Sequence, residues 1–504
     1  MWKNYKEICT NMTLSKSLYT TGIQCSKALW LKKYKSEVLA PTDESVETRF
    51  KTGHTVGELA CDLFPNGVKI DFNPNLEQMV KETKKLLGSG VSVIYEAAFS
   101  FENTLVIVDI FEMDSEGISI YEVKSSTSLK DIYLHDVSIQ YYTLQNLGYK
   151  IKSANVVYLN SNYIRGDELD IKELFIVEDV TEAIKSLQEA VPKNLQIFQT
   201  YLANKENEPN IDIGKHCKNP YECSALDYCW KFQREIPDYS IFNIFNLGSK
   251  KQVELYSQGI IDVDDIPDDF DLTANQKAAV DNYKSKQTYI DKTSIKEFLK
   301  TLTYPIYHLD FETFQQAIPE FKGLSPYEQI PFQYSLHIEY EDGILEHKEF
   351  LAEDGVDPRY ELSKSLVENI PSNATVLAYN MSFEKGVIRK LANLYGEFTY
   401  DLMSIHDNMQ DLMVPFQKKW YVTPSMQGSY SIKYVLPALV PEMEKAYKDL
   451  DLIHNGGEAM NAYANMSNLS YEEKIAYRKA LLAYCKLDTL AMVKILKVIK
   501  NIIK

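Results

Sequence analysis

Two acidic residues stand two positions apart in the segment HLDFETF. Asp310 and Glu312 lie on a predicted β-strand, whose two-residue period places both side chains on one face. Ile306, Leu309 and Phe311 are apolar, so we expect this strand to be partly buried. Two neighbouring carboxylates repel each other, and burying them without a counter-charge costs free energy. The pattern therefore favours a divalent cation bound by both side chains.

Further polar groups of the second half could complete such a site. Tyr484 and Asp488 in LLAYCKLDTLAM are four residues apart, so they share one face of a predicted helix. Asn380 and Glu384 follow a strand-like run and open another helix, and Asp411 stands in MQDLMVPF between these segments. Four carboxylates can hold two divalent ions, which activate a water and stabilise the leaving oxygen in phosphodiester cleavage. Tyr484 can orient that water or help to deprotonate it.

The motifs DFE, YNxxFE and YCxxD resemble, in order and spacing, those of the DEDD exonucleases, a ribonuclease-H-like proofreading superfamily. The Tyr-x-x-x-Asp ending resembles its tyrosine branch, and GSYSIKYVLPAL is similar to a segment between its second and last motifs. The resemblance covers roughly residues 304–500. It implies that both acids of DFE and Asp488 bind metal, with Tyr484 assisting the attacking water. The second motif usually ends in aspartate; here it ends in Glu384, whose longer side chain can still reach a metal.

The first half carries an aspartate followed by a Glu-x-Lys pair. The segment TLVIVDIFEMDSEGISIYEVKSS predicts a β-hairpin with its turn at DSEG, in which Asp109 ends the first strand. Glu122 and Lys124 share one face of the second strand, beside Asp109. Two carboxylates can coordinate a metal, and a neighbouring lysine can orient the attacking water or stabilise developing negative charge. Gln140 and Tyr141 lie on the helix predicted to follow.

This order of groups resembles the RecB-like branch of the PD-(D/E)xK nucleases, in which a helix histidine precedes the strand aspartate. The segment FKTGHTVGELA supplies such a histidine, His54. The resemblance implies metal binding by His54, Asp109 and Glu122, and catalytic roles for Lys124, Gln140 and Tyr141. Glu96 in IYEAAF can add a further ligand. The competing interpretation is an exposed hairpin with solvated charges and a structural histidine.

Three of the seven cysteines crowd into GKHCKNPYECSALDYCW. Cys217, Cys223 and Cys229 follow one another at two equal intervals of six positions, and Cys25 in TTGIQCSKALWLKKY is the best candidate for a fourth ligand. Structural zinc sites usually use Cys-x-x-Cys pairs, which these intervals do not match. Four thiolates in a reducing compartment suit a [4Fe–4S] cluster, with zinc or unligated buried cysteines as the alternatives. Other candidates for the fourth ligand are His216, Cys9 and Cys61.

One early and three late cysteines around a RecB-like core resemble the iron–sulfur nucleases of that branch. These include CRISPR-associated exonucleases and a subunit of helicase–nuclease repair complexes. The resemblance implies that the cluster is a structural staple between the first helix and the end of the domain.

Length, charge and hydropathy limit the class of protein. A chain of 504 residues exceeds one ordinary core, so two or three domains are expected. The first residues lack the apolar run of a signal peptide, and no stretch approaches about eighteen apolar residues, so we expect a cytoplasmic protein without a membrane span. A net charge of −17 disfavours tight non-specific DNA binding, but metal ions at a carboxylate site invert the local sign.

Alternating predicted strands and helices indicate an α/β protein. We expect a RecB-like nuclease domain with its cysteine cluster over residues 1–232 and a helical connector over 233–300. A ribonuclease-H-like exonuclease domain, with helices flanking a mixed sheet, is expected over 301–504. Together the two halves resemble a bacterial family that fuses these nuclease types.

These patterns predict a metal-dependent nuclease, with exonuclease action favoured, that hydrolyses DNA phosphodiester bonds at two sites with Mg²⁺ or Mn²⁺. DNA is favoured over RNA as the partner, in DNA repair or defence against foreign DNA, and no membrane partner is expected. The alternative is a nucleic-acid-binding protein in which one site is inactive and serves binding or partner recruitment. An adaptor with neither site active is a third possibility.

Overall fold

The computed structural model describes most of the chain. The described residues are 14–41, 44–102 and 104–504, without the side chains of residues 44 and 45. The chain divides into two compact units. Unit 1 comprises Met1–Ile236 and Gln316–Tyr327, and unit 2 comprises Pro237–Gln315 and Glu328–Lys504. Residues 237–300, part of the expected connector, therefore belong to unit 2.

Unit 1 is built on a mixed seven-stranded sheet. Its strands are β1 (Leu14–Ser15), β2 (Val68–Lys69), β3 (Val93–Phe101), β4 (Thr104–Met113), β5 (Ile118–Lys124), β6 (Ile151–Leu159) and β7 (Phe175–Asp179). The spatial order is β2-β3-β4-β5-β6-β7, and β1 pairs in parallel with the start of β4. Strands β3, β4 and β5 form an antiparallel meander, β6 runs parallel to β5, and β7 runs antiparallel to β6.

Helices cover this sheet. The α-helices described in unit 1 are α1 (Lys16–Gln24), α2 (Ser26–Tyr34), α3 (Glu44–Ala60), α4 (Leu76–Gly88), α5 (Asp131–Asn146), α6 (Ile171–Leu174), α7 (Thr181–Leu187) and α8 (Ala190–Ala203). Phe111 of β4 packs with Val137 of α5 in the larger apolar cluster. Its neighbour Ile110 packs with Val56 of α3 in a second cluster, because successive strand side chains point to opposite faces.

The β4–β5 hairpin confirms the strand pair expected from the sequence. Asp109, however, lies within β4 rather than at its end, because apolar Ile110 and Phe111 extend the strand towards the turn. Asp109 and Phe111 are two positions apart, so Asp109 is on the face that packs against α5.

Unit 2 contains a mixed five-stranded sheet and a small two-stranded one. The strands are β8 (Tyr289–Ile290), β9 (Ile306–Phe314), β10 (Ile330–Glu339), β11 (Leu345–Leu351), β12 (Thr375–Ala378), β13 (Met409–Asp411) and β14 (Tyr421–Val422). The larger sheet has the order β11-β10-β9-β12-β13, and β8 pairs with β14. Strands β9, β10 and β11 form an antiparallel meander, whereas β12 and β13 run parallel to β9. The strands predicted in YPIYHLDFETF, QYSLHIEY and ATVLAYN are thus confirmed as β9, β10 and β12.

Helices also flank the larger sheet of unit 2. The α-helices described are α9 (Ser249–Ser257), α10 (Ala274–Ser285), α11 (Lys292–Lys300), α12 (Arg359–Asn369), α13 (Ser382–Leu394), α14 (Thr399–Asp407), α15 (Val414–Gln417), α16 (Ile432–Leu439), α17 (Pro441–Lys448), α18 (Gly456–Asn465) and α19 (Tyr471–Ile503). Phe311 of β9 packs with Ile388 of α13, whereas Ile306 packs with Ile495 of α19. Asp310 is an even number of positions from Ile306, so it shares the face of β9 that meets α19.

The long helix α19 begins where Ser470 and Glu473 form a capping box, each side chain bonding the other residue's backbone N–H. Its interior carries several lysines and one aspartate, Asp488, between the apolar positions. None of the helices in the described part of the chain is both long and apolar enough to cross a membrane.

Candidate functional site

The β4–β5 hairpin places two predicted carboxylates of unit 1 side by side. The paired ladder between β4 and β5 ends at Ile110 and Tyr121. Beyond that pair, Asp109 Oδ2 accepts a 2.7 Å hydrogen bond from the Val123 N–H, which links the two strands where the ladder stops. Glu122, the residue before Val123, consequently lies close enough to Asp109 for its charge to raise the pKa of Asp109.

Helix α5 completes this group. Lys124 Nζ donates hydrogen bonds to Glu122 Oε1 and to Asp136 Oδ2, each at 2.6 Å. Gln140 Nε2 donates to Glu122 Oε2 at 2.6 Å. The structure thus brings together the predicted Glu122, Lys124 and Gln140. It adds Asp136, which was not predicted from the sequence. The signal was present, because Asp136 stands four residues before Gln140 and both therefore lie on one helix face.

A second lysine enters the group from the beginning of the described chain. Lys16 Nζ lies 2.9 Å from both carboxylate oxygens of Glu122, 3.6 Å from Asp109 Oδ1 and 3.7 Å from Asp136 Oδ1. It is the first residue of α1, which follows β1 and the capping Ser15. The sequence offered no signal for Lys16, because its position depends on β1 pairing with the distant strand β4.

Glu96 is the remaining acidic residue of this region. Its backbone φ of +58° is left-handed, and it interrupts the pairing of β3 with β4 between Tyr95 and Ala97. A non-glycine residue in this conformation within a strand stores strain, which is common at functional sites. Burial raises the pKa of Glu96, and the charge of Glu122 raises it further. We call Glu96, Asp109, Glu122 and Asp136 the unit 1 acid cluster.

The charges of the unit 1 acid cluster are strongly coupled. Burial, and then the charge of Glu122, raises the pKa of Asp109 to about 7. Burial also opposes the ionisation of Glu122, but Lys124 and Lys16 hold its pKa well below the usual value. Although burial disfavours an ammonium, Asp136 and Glu122 hold the pKa of Lys124 above its usual value. Glu122 is therefore ionised between two charged lysines.

Two predicted residues of unit 1 are not brought to the cluster. His54 lies exposed on α3, and no hydrogen bond or ion pair connects it to the acids in the described part of the chain. Tyr141 is buried in the apolar core with Val137 and Leu144. Because Tyr141 follows Gln140 directly on the helix, its side chain leaves α5 in a different direction and packs instead of facing the acids.

In unit 2, β9 and α19 supply the predicted acids. Asp310, Glu312 and Cys485 each offer a ligand atom, and these three atoms lie within 4.8 Å of one another. Asp488 follows Cys485 by less than one helical turn, and its charge raises the pKa values of Asp310 and Glu312. The motif residues of β9 and α19 therefore lie together, whereas the strand and helix periods predicted only that each pair shares a face of its own element.

Glu384 joins these acids from the first turn of α13. It is buried, and its Oε2 has no hydrogen-bond partner. Burial, and then the charge of Asp411, raises the pKa of Glu384 to about 8. Its charge also raises the pKa of Asp310. We call Asp310, Glu312, Glu384 and Asp488 the unit 2 acid cluster.

Asp411 has a different role from these acids. Its carboxylate accepts hydrogen bonds from the backbone N–H groups of Asn380 at 2.9 Å, Met381 at 3.2 Å and Met413 at 2.9 Å. Asn380 has a left-handed φ of +68°, so the chain turns sharply between β12 and α13. Asp411 therefore stabilises the turn that orients Glu384.

Two tyrosines lie beside Asp488 of the unit 2 acid cluster. Tyr447 of α17 donates a 2.6 Å hydrogen bond to Asp488 Oδ1, and its ring centroid is 6.2 Å from that of the predicted Tyr484. Hydrogen bonds from both hydroxyls lower the pKa of Asp488, but burial outweighs them and raises it to about 7. Tyr447 was not predicted from the sequence, because it lies outside the recognised motifs.

The unit 2 acid cluster differs from that of unit 1 in its surroundings, because burial and like charges dominate the pKa values of its acids. Burial, and then the charge of Asp488, raises the pKa of Glu312 to about 8, and the pKa of Asp310 is raised well above its usual value. Among the described residues, no lysine or arginine forms an ion pair with the four acids. Asp310 and Glu312 offer oxygen ligands within 4.8 Å of each other, and Glu384, which has an unpartnered oxygen, and Asp488 lie close enough for their charges to act on Asp310. Such oxygen-rich surroundings fit hard divalent cations such as Mg²⁺ or Mn²⁺.

The four predicted cysteine ligands meet in unit 1. Cys25 lies between α1 and α2, Cys217 ends a short 3₁₀ turn, and Cys229 lies in a π-helical turn. With Cys223 they line one small cavity. All four are free thiols. Burial is the main cause of the raised pKa values of Cys25, Cys223 and Cys229, and the charges of neighbouring thiols contribute to them. The sequence prediction that pairs Cys25 with the late cysteines is therefore consistent with the structure.

Hydrogen bonds from one side chain to two backbone carbonyl groups connect the segments that carry these cysteines. Gln24 Nε2 donates to the carbonyl oxygens of His216 at 2.7 Å and Tyr221 at 2.8 Å, which ties α1 to the late segment. Of the alternative ligands, His216 also lines the cavity. Cys61 lies elsewhere, with its thiol bonded to the Gly57 carbonyl, and Cys9 lies outside the described residues.

The fold and the sites define a mixed α/β protein with two partly buried acid clusters and a group of four cysteines. Residues 307–431 match the family model of a domain of unknown function, DUF2779. The matched segment carries β9 to β14 of the unit 2 sheets, with Asp310, Glu312 and Glu384. Asp488 and both tyrosines lie beyond it.

Curated relatives extend the similarity. An uncharacterised protein of Ureaplasma parvum serovar 3 is 24% identical over 354 residues, which are 64% of this chain and 50% of that protein. An uncharacterised protein of Mycoplasma genitalium is 27% identical over 217 residues, 39% of this chain and 32% of that protein. The chain thus matches half the length of the first relative and about a third of the second.

Proposed function

We propose that this protein is a metal-dependent nuclease that hydrolyses DNA phosphodiester bonds, with one active site in each unit. The observation that carries the proposal is the unit 2 acid cluster, in which two buried and two partly exposed carboxylates converge and no lysine or arginine in the described part of the chain forms an ion pair with them. Such a cluster is costly unless cations neutralise it. Divalent ions bound there would activate water and stabilise the leaving oxygen of a phosphodiester.

The residues of unit 2 suit this chemistry. Asp310, Glu312, Glu384 and Asp488 would hold the ions. Burial and the neighbouring acids raise the pKa of Tyr484 far above neutrality, so its hydroxyl keeps its proton rather than acting as a base. The hydroxyl donates that proton to Asp488, and its oxygen can orient a water by accepting a hydrogen bond from it. Tyr447 orients Asp488 through its hydrogen bond.

The fold of unit 2 supports the ribonuclease-H-like assignment. Its sheet begins with an antiparallel meander and continues with strands parallel to the first, and α19 brings the last motif to the same face. This arrangement places Asp310 and Asp488 together, as the resemblance to the DEDD exonucleases requires. It favours exonuclease action at this site.

Unit 1 supports the RecB-like assignment through the surroundings of Glu122. Lys124 and Gln140 both donate hydrogen bonds to the carboxylate of Glu122. They are positioned by the β4–β5 hairpin, by the parallel strand β6 and by helix α5 between β5 and β6. Lys124 can orient an attacking water or stabilise developing charge there. Asp109 and Glu122 would hold Mg²⁺ or Mn²⁺.

The cysteine group fits a [4Fe–4S] cluster better than zinc. A tetrahedral zinc with bonds of about 2.3 Å places its sulfur ligands about 3.8 Å apart. In the described residues, no three of the sulfurs of Cys25, Cys217, Cys223 and Cys229 lie within 4.8 Å of one another. A polynuclear cluster spans wider thiol separations, and here it would staple the α1–α2 junction to the late segment of unit 1.

Cleavage of end-labelled DNA tests the proposed function. The protein, which we place in the cytoplasm in DNA repair or defence, would be incubated with single- and double-stranded substrates in Mg²⁺ or Mn²⁺. Lys124→Ala and Asp310→Ala should each remove a distinguishable activity, and a matching RNA substrate should be cleaved more slowly. If both variants retained every activity of the parent, the two-site proposal would be wrong.

A second candidate function is nucleic-acid binding with only unit 2 catalytic. The two lysines that neutralise the unit 1 acid cluster favour it, because they compete with divalent ions for Glu122. Calorimetric Mn²⁺ binding measured beside the cleavage assay separates the two functions. Cleavage that survives Lys124→Ala in full, with nucleic-acid affinity reduced, would favour this second function.

A further inference from the structure

The carboxylate of Glu122 has no acceptor position left for a metal ion. Its Oε1 accepts hydrogen bonds from Lys16 at 2.9 Å and Lys124 at 2.6 Å, and its Oε2 accepts from Lys16 at 2.9 Å and Gln140 at 2.6 Å. A carboxylate offers about four lone-pair sites, so these four contacts saturate it. Glu122 is also only 3% exposed at its side chain. A cation can therefore reach it only if one donor leaves.

Of the three donors, Lys16 contacts the largest number of the carboxylates that a divalent cation would bind. Its ammonium group contacts Glu122 and lies 3.6 Å from Asp109 and 3.7 Å from Asp136, whereas Lys124 forms ion pairs with Glu122 and Asp136. Lys124 and Gln140 come from elements within the sheet-and-helix core, but Lys16 comes from the short β1–α1 junction. Its side chain keeps 21% of its surface exposed, so it has a route to solvent.

We propose that Lys16 is an internal cation of unit 1 that must leave Glu122 before a divalent ion can bind there. The inference rests on the proposed function, in which Asp109 and Glu122 are metal ligands. The ammonium and the ion then compete for the same carboxylates. By linkage, an ion that binds only when Lys16 has left must in turn shift Lys16 towards its released, exposed position.

The decisive measurement is the reactivity of Lys16 in the parent protein. Reductive methylation read by mass spectrometry should label Lys16 slowly in chelator and at least about threefold faster in saturating Mn²⁺, because the released ammonium group is exposed. Lys152, which pairs with Asp114 at 2.6 Å and Glu116 at 2.8 Å on the exposed hairpin, is the matched control and should not respond. Unchanged labelling of Lys16 while Mn²⁺ occupies unit 1 overturns the proposal.

Mn²⁺ titration supplies the occupancy and a second readout. Both arms carry Asp310→Asn and Asp488→Asn, so that binding by unit 2 is removed and the remaining isotherm reports unit 1. Lys16→Met should bind Mn²⁺ about tenfold or more tightly than Lys16, and Lys16→Arg, which keeps the charge, should not. Asp109→Asn should abolish the isotherm. A Lys16→Met variant that binds Mn²⁺ no better than the parent contradicts the competition.

Failure of this inference is distinguishable from failure of the proposed function. Release of Lys16 by Mn²⁺ without DNA cleavage would leave the inference standing and remove the nuclease activity. Cleavage that depends on Lys124 while Lys16 stays protected would do the opposite. Because the labelling uses the unsubstituted protein, a folding defect of Lys16→Met would not obscure the result.

Discussion

Tyr447 donates a 2.6 Å hydrogen bond to Asp488, although 41 positions of the chain separate them. The bond connects α17, which carries none of the recognised motifs, to the last acid of the unit 2 cluster. Tyr484 reaches the same acid from one helical turn away. Asp488 is thus oriented by two hydroxyl groups, of which only one belongs to the motif that the sequence shows.

Replacing Tyr447 should therefore impair unit 2 without unfolding it. Tyr447→Phe removes a hydrogen bond to a charged group, which is typically worth about 1.5–3 kcal/mol, so we expect cleavage by unit 2 to fall about ten- to a hundredfold. The pKa of Asp488 should rise without this donor, shifting the acid limb of the pH–rate profile to higher pH. Tyr471→Phe, at a residue that is 79% exposed, is the control. An unshifted profile would show that Tyr447 does not act through Asp488.

Divalent ions should stabilise unit 2 only while its acids are complete. Mn²⁺ at about one hundred times its dissociation constant should add about 2.7 kcal/mol to the free energy of unfolding of the parent. Asp310→Asn should abolish the unit 2 part of this gain. It should also be more stable than the parent in chelator, because a neutral amide replaces a carboxyl group whose ionisation is opposed by burial and by the neighbouring acids. Thermal unfolding in chelator and in Mn²⁺ measures both effects. The exposed Asp269→Asn should behave as the parent.

Raising the pH should destabilise the metal-free protein between about pH 7 and pH 8.5. Burial raises the pKa of Glu312 and Glu384 to about 8 and of Asp488 and Asp109 to about 7, whereas such groups titrate near about pH 4 in an unfolded chain. In this window the folded protein binds protons that the unfolded chain has lost. The free energy of unfolding therefore falls as the pH rises through the folded pKa values, and these groups contribute no pH dependence below about pH 4.

Urea denaturation in chelator at the two ends of that window measures this slope. Glu312→Gln should flatten it, because the substituted side chain does not titrate, and Mn²⁺ should reduce it by favouring the ionised acids. A parent protein that is equally stable at both pH values would show that the acids of the two clusters titrate normally.

Cys25 should matter as much to iron binding as the three late cysteines. Cys25→Ser and Cys223→Ser should both lose most of the iron and the broad visible absorption of anaerobically purified protein, and both should lower its thermal stability. Cys61→Ser is the matched control, because its thiol bonds the Gly57 carbonyl away from the cavity. Iron content that is unchanged in Cys25→Ser would move the fourth ligand to His216, which lines the cavity, or to Cys9, which lies outside the described residues. Zinc as the sole metal would contradict the iron–sulfur cluster.

Local patterns were sufficient for several features of both units. Alternating apolar residues predicted the β4–β5 hairpin, and the two-residue period of β9 placed Asp310 and Glu312 on one face. The four-residue spacing of Tyr484 and Asp488 likewise placed both on one side of α19. These relationships follow from backbone geometry within one element or one hairpin, so they can be predicted without knowledge of the rest of the chain.

Such local patterns could not predict which side chains reach the acid cluster of unit 1. Tyr141 looked like a partner of Gln140 by position, yet it packs in the core because neighbouring helix residues point in different directions. His54 matched an expected order but remains exposed and apart from the acids in the described structure. Order along the chain thus indicated which elements carry a site, but not which side chains reach it.

The sequence by itself determined the main strands and helices that carry the acids, the spacing of the paired acids and the grouping of the late cysteines. Only the tertiary structure decided how the charges are balanced: Lys16 and Lys124 neutralise the acids of unit 1, whereas the acids of unit 2 meet hydroxyl groups and each other. The reason is physical. Periodicity acts over a few residues, but electrostatic neutralisation depends on distances in space between elements that lie far apart in the chain.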